Sequence, residues 1–128
     1  MTELLLDTHV LLWANASPGR LGRLTSEELV NSTSNLFVSA VSVAEMAIKR
    51  SIGKLEMSMS IADLLVPLGA SELSLTAGHA SSVERLPLLH RDPFDRLLAA
   101  QALSEDLVLV TADERLLSYP IATFDART

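Results

Sequence analysis

Three apolar runs of strand length, each followed by a segment of helical length, constrain this chain more than any other feature. Residues 3–6 (Glu3-Leu4-Leu5-Leu6), 36–39 and 107–111 are short, apolar and bounded by polar or turn residues, as buried strands are. Helical lengths are expected over 8–14, closed by Ser17-Pro18-Gly19, then from Thr25 onward, and over 42–51, 61–68, 76–86 and 92–103. Weaker strand signals lie at 72–75 and 121–124, and a helical turn at 113–117. Runs this apolar have both faces covered, and strands alternating with helices imply a parallel sheet. The expected class is therefore α/β. At 128 residues, with no repeat, linker or low-complexity segment, a single domain over 1–128 is expected.

Local signals add detail. Thr25-x-x-Glu28 and Ser42-x-x-Glu45 have the capping-box pattern, which would start helices at Thr25 and Ser42. In the second of these, Val43, Met46 and Ala47 would share a face, Lys49 and Arg50 would suit the dipole in the last turn, and Gly53 would cap the end. Pro67 falls near the end of 61–68, and residues 54–60 read as irregular. Asp92 is the expected N-cap of the helix that opens at Pro93, and its Ala99, Ala100 and Ala102 permit close packing on a sheet.

Four acids stand where such a fold gathers its functional groups. Asp7 follows the first strand and Asp113 the clearest one, while Glu45 and Asp95 lie in first turns of helices. In a parallel sheet these positions share the carboxyl edge, where open α/β folds bind ligands. Each acid also has a local explanation. Asp7 and Asp113 could be caps, Glu45 the reciprocal member of a capping box, and Asp95 a carboxylate favoured by the helix dipole. Taken together they point to a cation, because four neighbouring carboxylates repel and some must protonate unless a cation sits among them. Oxygen donors without cysteine suit Mg²⁺ or Mn²⁺ rather than zinc.

Around the acids, Thr8 adjoins Asp7, and Thr111 could hydrogen-bond a carboxylate or simply finish its strand. Arg91 and Arg96 flank the proposed site, either as solvated charges or as phosphate-holding groups. His90 reads first as a plain loop residue, with contact to substrate as the alternative. His9 suits packing or support of Asp7, and His79 a surface or core position.

Composition narrows the function. The net charge of −6, from 16 acids and 10 bases, has the wrong sign for holding nucleic acid by overall attraction. The mismatch lessens if several acids surround a metal. Aromatics are 4% of the chain, which argues against a base-stacking platform of the single-strand-binding type. With no cysteine, no signal-peptide pattern and no uncharged stretch long enough to span a bilayer, a soluble cytoplasmic protein is expected.

The motifs Leu6-Asp7-Thr8-His9-Val10-Leu11-Leu12-Trp13, Ser39-Ala40-Val41-Ser42-Val43-Ala44-Glu45, His90-Arg91-Asp92-Pro93-Phe94-Asp95-Arg96-Leu97-Leu98-Ala99-Ala100-Gln101-Ala102 and Val110-Thr111-Ala112-Asp113 occur in the order seen in PIN-domain proteins. The chain resembles that family over nearly its whole length, and within it the VapC-type toxins of bacterial toxin–antitoxin pairs. The resemblance implies a three-layer α/β/α sandwich with a central parallel sheet. It also implies Mg²⁺- or Mn²⁺-dependent endoribonuclease activity that leaves 5′-phosphate and 3′-hydroxyl ends, a VapB-like antitoxin as partner, and a homodimer. Asp7, Glu45, Asp95 and Asp113 match the family's acidic positions. Asp95 aligns better than Asp92, because the apolar–Ala–Ala stretch at Leu98 to Ala100 follows it.

Other readings compete. A phosphoacceptor receiver domain needs a lysine near the last strand, whereas the only lysines are Lys49 and Lys54. A hydrolase using Asp7 as nucleophile would have a second Asp where His9 stands. The stronger rival is a catalytically silent PIN-fold module that docks a protein partner. A DNA substrate is a further alternative to RNA.

Overall fold

The computed structural model describes residues 2–57 and 60–128. Residues 58 and 59, within the stretch expected to be irregular, lie outside the described residues.

Five strands form one parallel sheet: β1 (Glu3–Leu6), β2 (Asn35–Ser39), β3 (Ser71–Leu73), β4 (Val108–Thr111) and β5 (Thr123–Asp125), in the order β3-β2-β1-β4-β5. The helices are α1 (Thr8–Ala16), α2 (Arg23–Leu29), α3 (Ala40–Ser51), α4 (Ala77–Ser82), α5 (Pro93–Ser104) and α6 (Glu114–Leu117).

The side-chain alternation of β1 divides the interior into two cores. Leu4 and Leu6 point to one face, where they join Val10 and Leu11 of α1, Leu29 of α2, Met46 of α3 and Val110. Leu5 points to the other, against Leu98, Ala99, Ala100 and Ala102 of α5, Leu116 of α6 and Leu109. The sheet is thus the middle layer of a three-layer α/β/α sandwich. Truncating a fully buried side chain such as Leu5 to Ala would cost about 2–5 kcal/mol.

Several sequence expectations shift. α2 starts at Arg23 with Gly22 as its cap, not at Thr25. Thr25 is buried inside the helix, and its hydroxyl donates to the Ala126 carbonyl at 3.1 Å. Gly22 is required by space, since a Cβ there would fall 2.1 Å from the backbone carbonyl carbon of Thr128. α3 starts at Ala40, with Ser39 as cap and its hydroxyl accepting from Val41 N–H at 2.9 Å. The buried face is Val41, Ser42, Glu45 and Met46, while Ala47 is exposed and Val43 half-buried. Gly53 follows the Ile52 cap with φ +76°, the left-handed ending that glycine favours.

The segment expected as one helix over 61–68 is two 3₁₀ turns, Ala62–Leu64 and Val66–Leu68, because Pro67 supplies no amide hydrogen for a continuous α-helical ladder. The one expected over 76–86 is α4 followed by a 3₁₀ turn, Val83–Arg85.

Candidate metal centre

The site is built at the junction of β1 and β4, the central pair of the sheet. Asp7 occupies the cap position of α1, but its carboxylate makes no capping bond. Instead Thr111, the last residue of β4, donates its hydroxyl to Asp7 Oδ2 at 2.8 Å and accepts the Asp113 N–H at 3.0 Å. Thr111 therefore ties the two strand-end acids together. The other oxygen, Asp7 Oδ1, is buried with no hydrogen-bond partner among the described residues. Burial pushes the Asp7 carboxyl above its ordinary range, against the Thr111 hydrogen bond. Burying an unmatched carboxylate oxygen is costly, and a cation beside it would remove that cost.

Glu45 does not fold back on its own helix as a capping box would. It is buried, with Oε1 lying 2.8 Å from Thr8 Oγ1 and Oε2 lying 2.7 Å from Lys49 Nζ. Thr8 Oγ1 also lies 2.9 Å from Ser42 Oγ, so α1 and α3 are joined through the acid's own support. The hydrogen bond to Glu45 raises the Lys49 pKa, and the charges of Glu45, Asp92 and Asp95 add to it. This lysine was missed as a site residue from the sequence, although its i,i+4 spacing from Glu45 is a visible signal.

Asp92 caps α5, with Oδ1 accepting from Phe94 N–H at 2.8 Å and Asp95 N–H at 3.4 Å. Asp113 caps α6 through Oδ1, which accepts from Arg115 and Leu116 N–H, and its Oδ2 turns to His90. Burial raises the Asp113 pKa, but the His90 hydrogen bond and the two backbone N–H groups outweigh it and hold the carboxyl below the usual range. Asp95 has no such compensation. Burial, and then the charges of Asp7, Asp92, Glu45 and Asp113, push its carboxyl up to about 8.

His90 is more than a plain loop residue. It is buried, and its Nε2 lies 3.0 Å from both Asp95 Oδ2 and Asp113 Oδ2. One atom from each of these three side chains falls within 4.8 Å of the others, close enough to share an ion. Asp95 is only five residues from His90, but Asp113 lies beyond α5 and β4, so nothing local in the sequence announces the three-way grouping.

The two arginines do different things. Arg91 is exposed. Arg96 donates through Nη2 to the carbonyls of Val83 (3.1 Å) and Leu86 (3.3 Å), which makes it a fastener of the preceding turn rather than a free phosphate contact. Beside Asp7 and Asp113 lies a cleft of about 200 Å³ lined also by His9, Trp13 and Ala112. Trp13, the chain's only tryptophan, stacks at a tilt with His9 (6.1 Å between ring centroids) and has the Arg20 guanidinium 5.5 Å from its ring.

The donors fit a hard divalent cation. They are carboxylate oxygens, one of them buried and unmatched, and one acid holds its proton abnormally tightly because it is buried and its neighbours are also acidic.

Comparison with known proteins identifies the family. The description of the PIN domain matches residues 4–122. The chain belongs to the PIN-domain family. Ribonuclease VapC22 of Mycobacterium tuberculosis is 31% identical to this PIN chain over 122 residues, covering 93% of each, which makes the chain a homologue of a VapC-type ribonuclease. Two solved structures share the fold. A chain of VapBC2 from Rickettsia felis, bound to a DNA fragment from their promoter, superposes with a TM-score of 0.71 at 18% identity, covering 96% of this chain and 98% of that one. A chain of DNA-bound VapBC from Salmonella typhimurium superposes with a TM-score of 0.63 at 17% identity, covering 98% of both. Among the described residues, no helix is long and apolar enough to cross a membrane.

Proposed function

We propose that this PIN chain is the toxin of a type II toxin–antitoxin pair, a Mg²⁺- or Mn²⁺-dependent endoribonuclease acting in the cytoplasm. The observation that carries the reading is the buried, unmatched Oδ1 of Asp7, set beside Asp95, whose carboxyl burial and then the neighbouring acids push up to about 8. Asp7, Glu45, Asp95 and Asp113 would hold the ion. Its contribution when bound is to activate water and to offset the charge that grows on the phosphate.

The chain's own residues do the rest. Thr111 fixes Asp7 and Asp113 at the ends of neighbouring strands, and Thr8 with Ser42 fixes Glu45. Lys49 is freed for a phosphate oxygen once Glu45 has another cation. The cleft at His9 and Trp13 takes a base next to the scissile phosphate, where one ring suffices despite the low aromatic content. Attack by water in line with the leaving group forms a new P–O bond and breaks the P–O3′ bond. A carboxylate of the cluster accepts the water's proton, the departing 3′-oxygen takes one up, and 5′-phosphate and 3′-hydroxyl ends result.

A VapB-like antitoxin is the partner this reading implies, with a homodimer as the assembled toxin. The net charge of −6 suits a basic partner segment. The test is incubation of the purified chain with a cellular RNA pool, with Mg²⁺ or Mn²⁺, with EDTA, and beside Asp7→Asn. Discrete cuts lost with EDTA and in the variant are expected. A folded chain that neither binds metal nor cuts RNA would favour the silent docking module.

A further inference from the structure

The cluster of His90, Asp95 and Asp113 has the spacing of a metal site with one nitrogen ligand, but the hydrogen bonds around His90 have the opposite polarity. The Asp92 N–H donates to His90 Nδ1 at 3.1 Å. A neutral imidazole has one N–H, so an occupied acceptor at Nδ1 leaves the ring proton on Nε2. That is the atom 3.0 Å from both Asp95 Oδ2 and Asp113 Oδ2. A metal-ligating histidine is wired the other way, donating from its second nitrogen to a carbonyl or carboxylate and leaving the ligating nitrogen bare. To ligate through Nε2, His90 would need its proton on Nδ1, where it would face the Asp92 N–H.

The ring has little freedom to turn over. His90 is buried, and its own N–H donates to Tyr119 Oη at 3.1 Å, with Tyr119 itself buried in the second core. Backbone and ring are thus both anchored, one to Tyr119 and one to the cap of α5.

We propose that His90 is a fixed hydrogen-bond donor that positions Asp113 and Asp95 for the cation and is not itself a ligand. Resting on the cation reading of the acids, this makes the loop histidine the bracket between α5 and α6. Its Nε2–H holds Asp113 by a hydrogen bond beside Asp95, 3.0 Å away, while the ion is absent, and stays on Asp113 when the ion arrives. The coordination sphere is then all oxygen, which favours Mg²⁺ and Mn²⁺ over the nitrogen-seeking transition metals.

The experiment is ¹⁵N-detected NMR of the histidine rings in the full chain at pH 8, during titration with Mg²⁺ and separately with Zn²⁺. The Nε2–H tautomer at His90 is expected before and after Mg²⁺, while the backbone resonances of Asp7, Asp95 and Asp113 move. A switch to the Nδ1–H tautomer, or a large Mg²⁺-induced shift of Nε2, would overturn the proposal by making His90 a ligand. No response to Mg²⁺ at any acid would instead overturn the cation reading, and the positioning role with it. Mn²⁺ affinity measured by electron paramagnetic resonance gives the second readout. His90→Leu should bind about 10-fold more weakly, and His90→Gln, which restores an N–H donor, should recover most of the loss. Equal affinity in wild type and both variants would refute the role. If His90→Leu does not fold, the tautomer measurement on the unaltered chain decides alone.

Discussion

The molecule wires two buried histidines in the same way and uses them differently. At the joint of α4 and α5, His79 Nδ1 accepts from the Thr76 N–H at 3.1 Å, and its Nε2 lies 2.7 Å from Glu105 Oε1. At the acid cluster, His90 Nδ1 accepts from the Asp92 N–H, and its Nε2 meets Asp95 and Asp113. Both rings are therefore acceptors toward the backbone and donors toward carboxylate. The difference lies in the partner. Glu105 is a single, half-exposed acid at the end of a helix, so His79 closes a capping box with Thr76, meets one carboxylate and stops there. Asp95 and Asp113 belong to a group of acids that have more negative charge than the neighbouring donors can satisfy. The same imidazole geometry is a fastener in one place and part of a charged site in the other.

Asp7→Asn is the substitution with the largest expected effect. It keeps the Thr111 hydrogen bond available and removes the charge, so RNA cleavage should fall by about 100-fold or more while the circular dichroism spectrum stays that of the wild type. Undiminished cleavage would leave the acid cluster with no more claim to function than the His79 joint.

The pH dependence of the metal-free protein comes next. Asp95 has a folded-state pKa of about 8 against an ordinary 3.8, so between those values the folded chain holds a proton that the unfolded chain has released. Its contribution to stability is complete below about pH 4 and is lost as pH rises toward 8. Urea midpoints without metal should therefore fall across that window, and Mg²⁺ should flatten the fall. A midpoint that rises steadily with pH and ignores Mg²⁺ would break the contrast between the two sites.

His79→Ala tests the other half. It leaves the Thr76 N–H without its partner and should cost about 1–3 kcal/mol in urea unfolding. Mg²⁺ affinity, read by isothermal titration calorimetry, should stay unchanged. If it falls as it does for His90→Leu, the two histidines are not distinct in role.

The smallest effect is expected for Asp92→Asn. Asparagine caps as well as aspartate, so stability should stay within about 0.5 kcal/mol. The loss of Mg²⁺ affinity should be smaller than for Asp95→Asn, which separates the helix cap from the ligand.

The central strands β1, β2 and β4 were legible because they are apolar runs, and β1 begins and ends where its Leu-rich run does, whereas the short, polar edge strands β3 and β5 were read at 72–75 and 121–124 but lie at Ser71–Leu73 and Thr123–Asp125. The helix starts were less so. Ser42 and Thr25 each sit three residues before a glutamate, which is the pattern of a cap, yet both are buried within helices whose caps are Ser39 and Gly22. Ser39 lacks a glutamate three residues on, and Gly22 is chosen by its contact with the last residues of the chain, which no local pattern encodes. Among the acids, position along the chain was readable and partnership was not. Whether Asp7 caps its helix depends on Thr111, and whether His90 matters depends on Asp113, both supplied by distant chain. Lys49 could have been found from its spacing to Glu45, whereas Arg96 looked like a phosphate contact because its carbonyl partners lie in a turn whose path is set only by tertiary packing.

Thr111 and Asp7 are 104 residues apart, and β1 is sandwiched between β2 and β4. No partial chain that stops short of Thr111 can contain the joined pair of strand-end acids. During synthesis this clasp can close only once Thr111 itself has been added, 104 residues after Asp7.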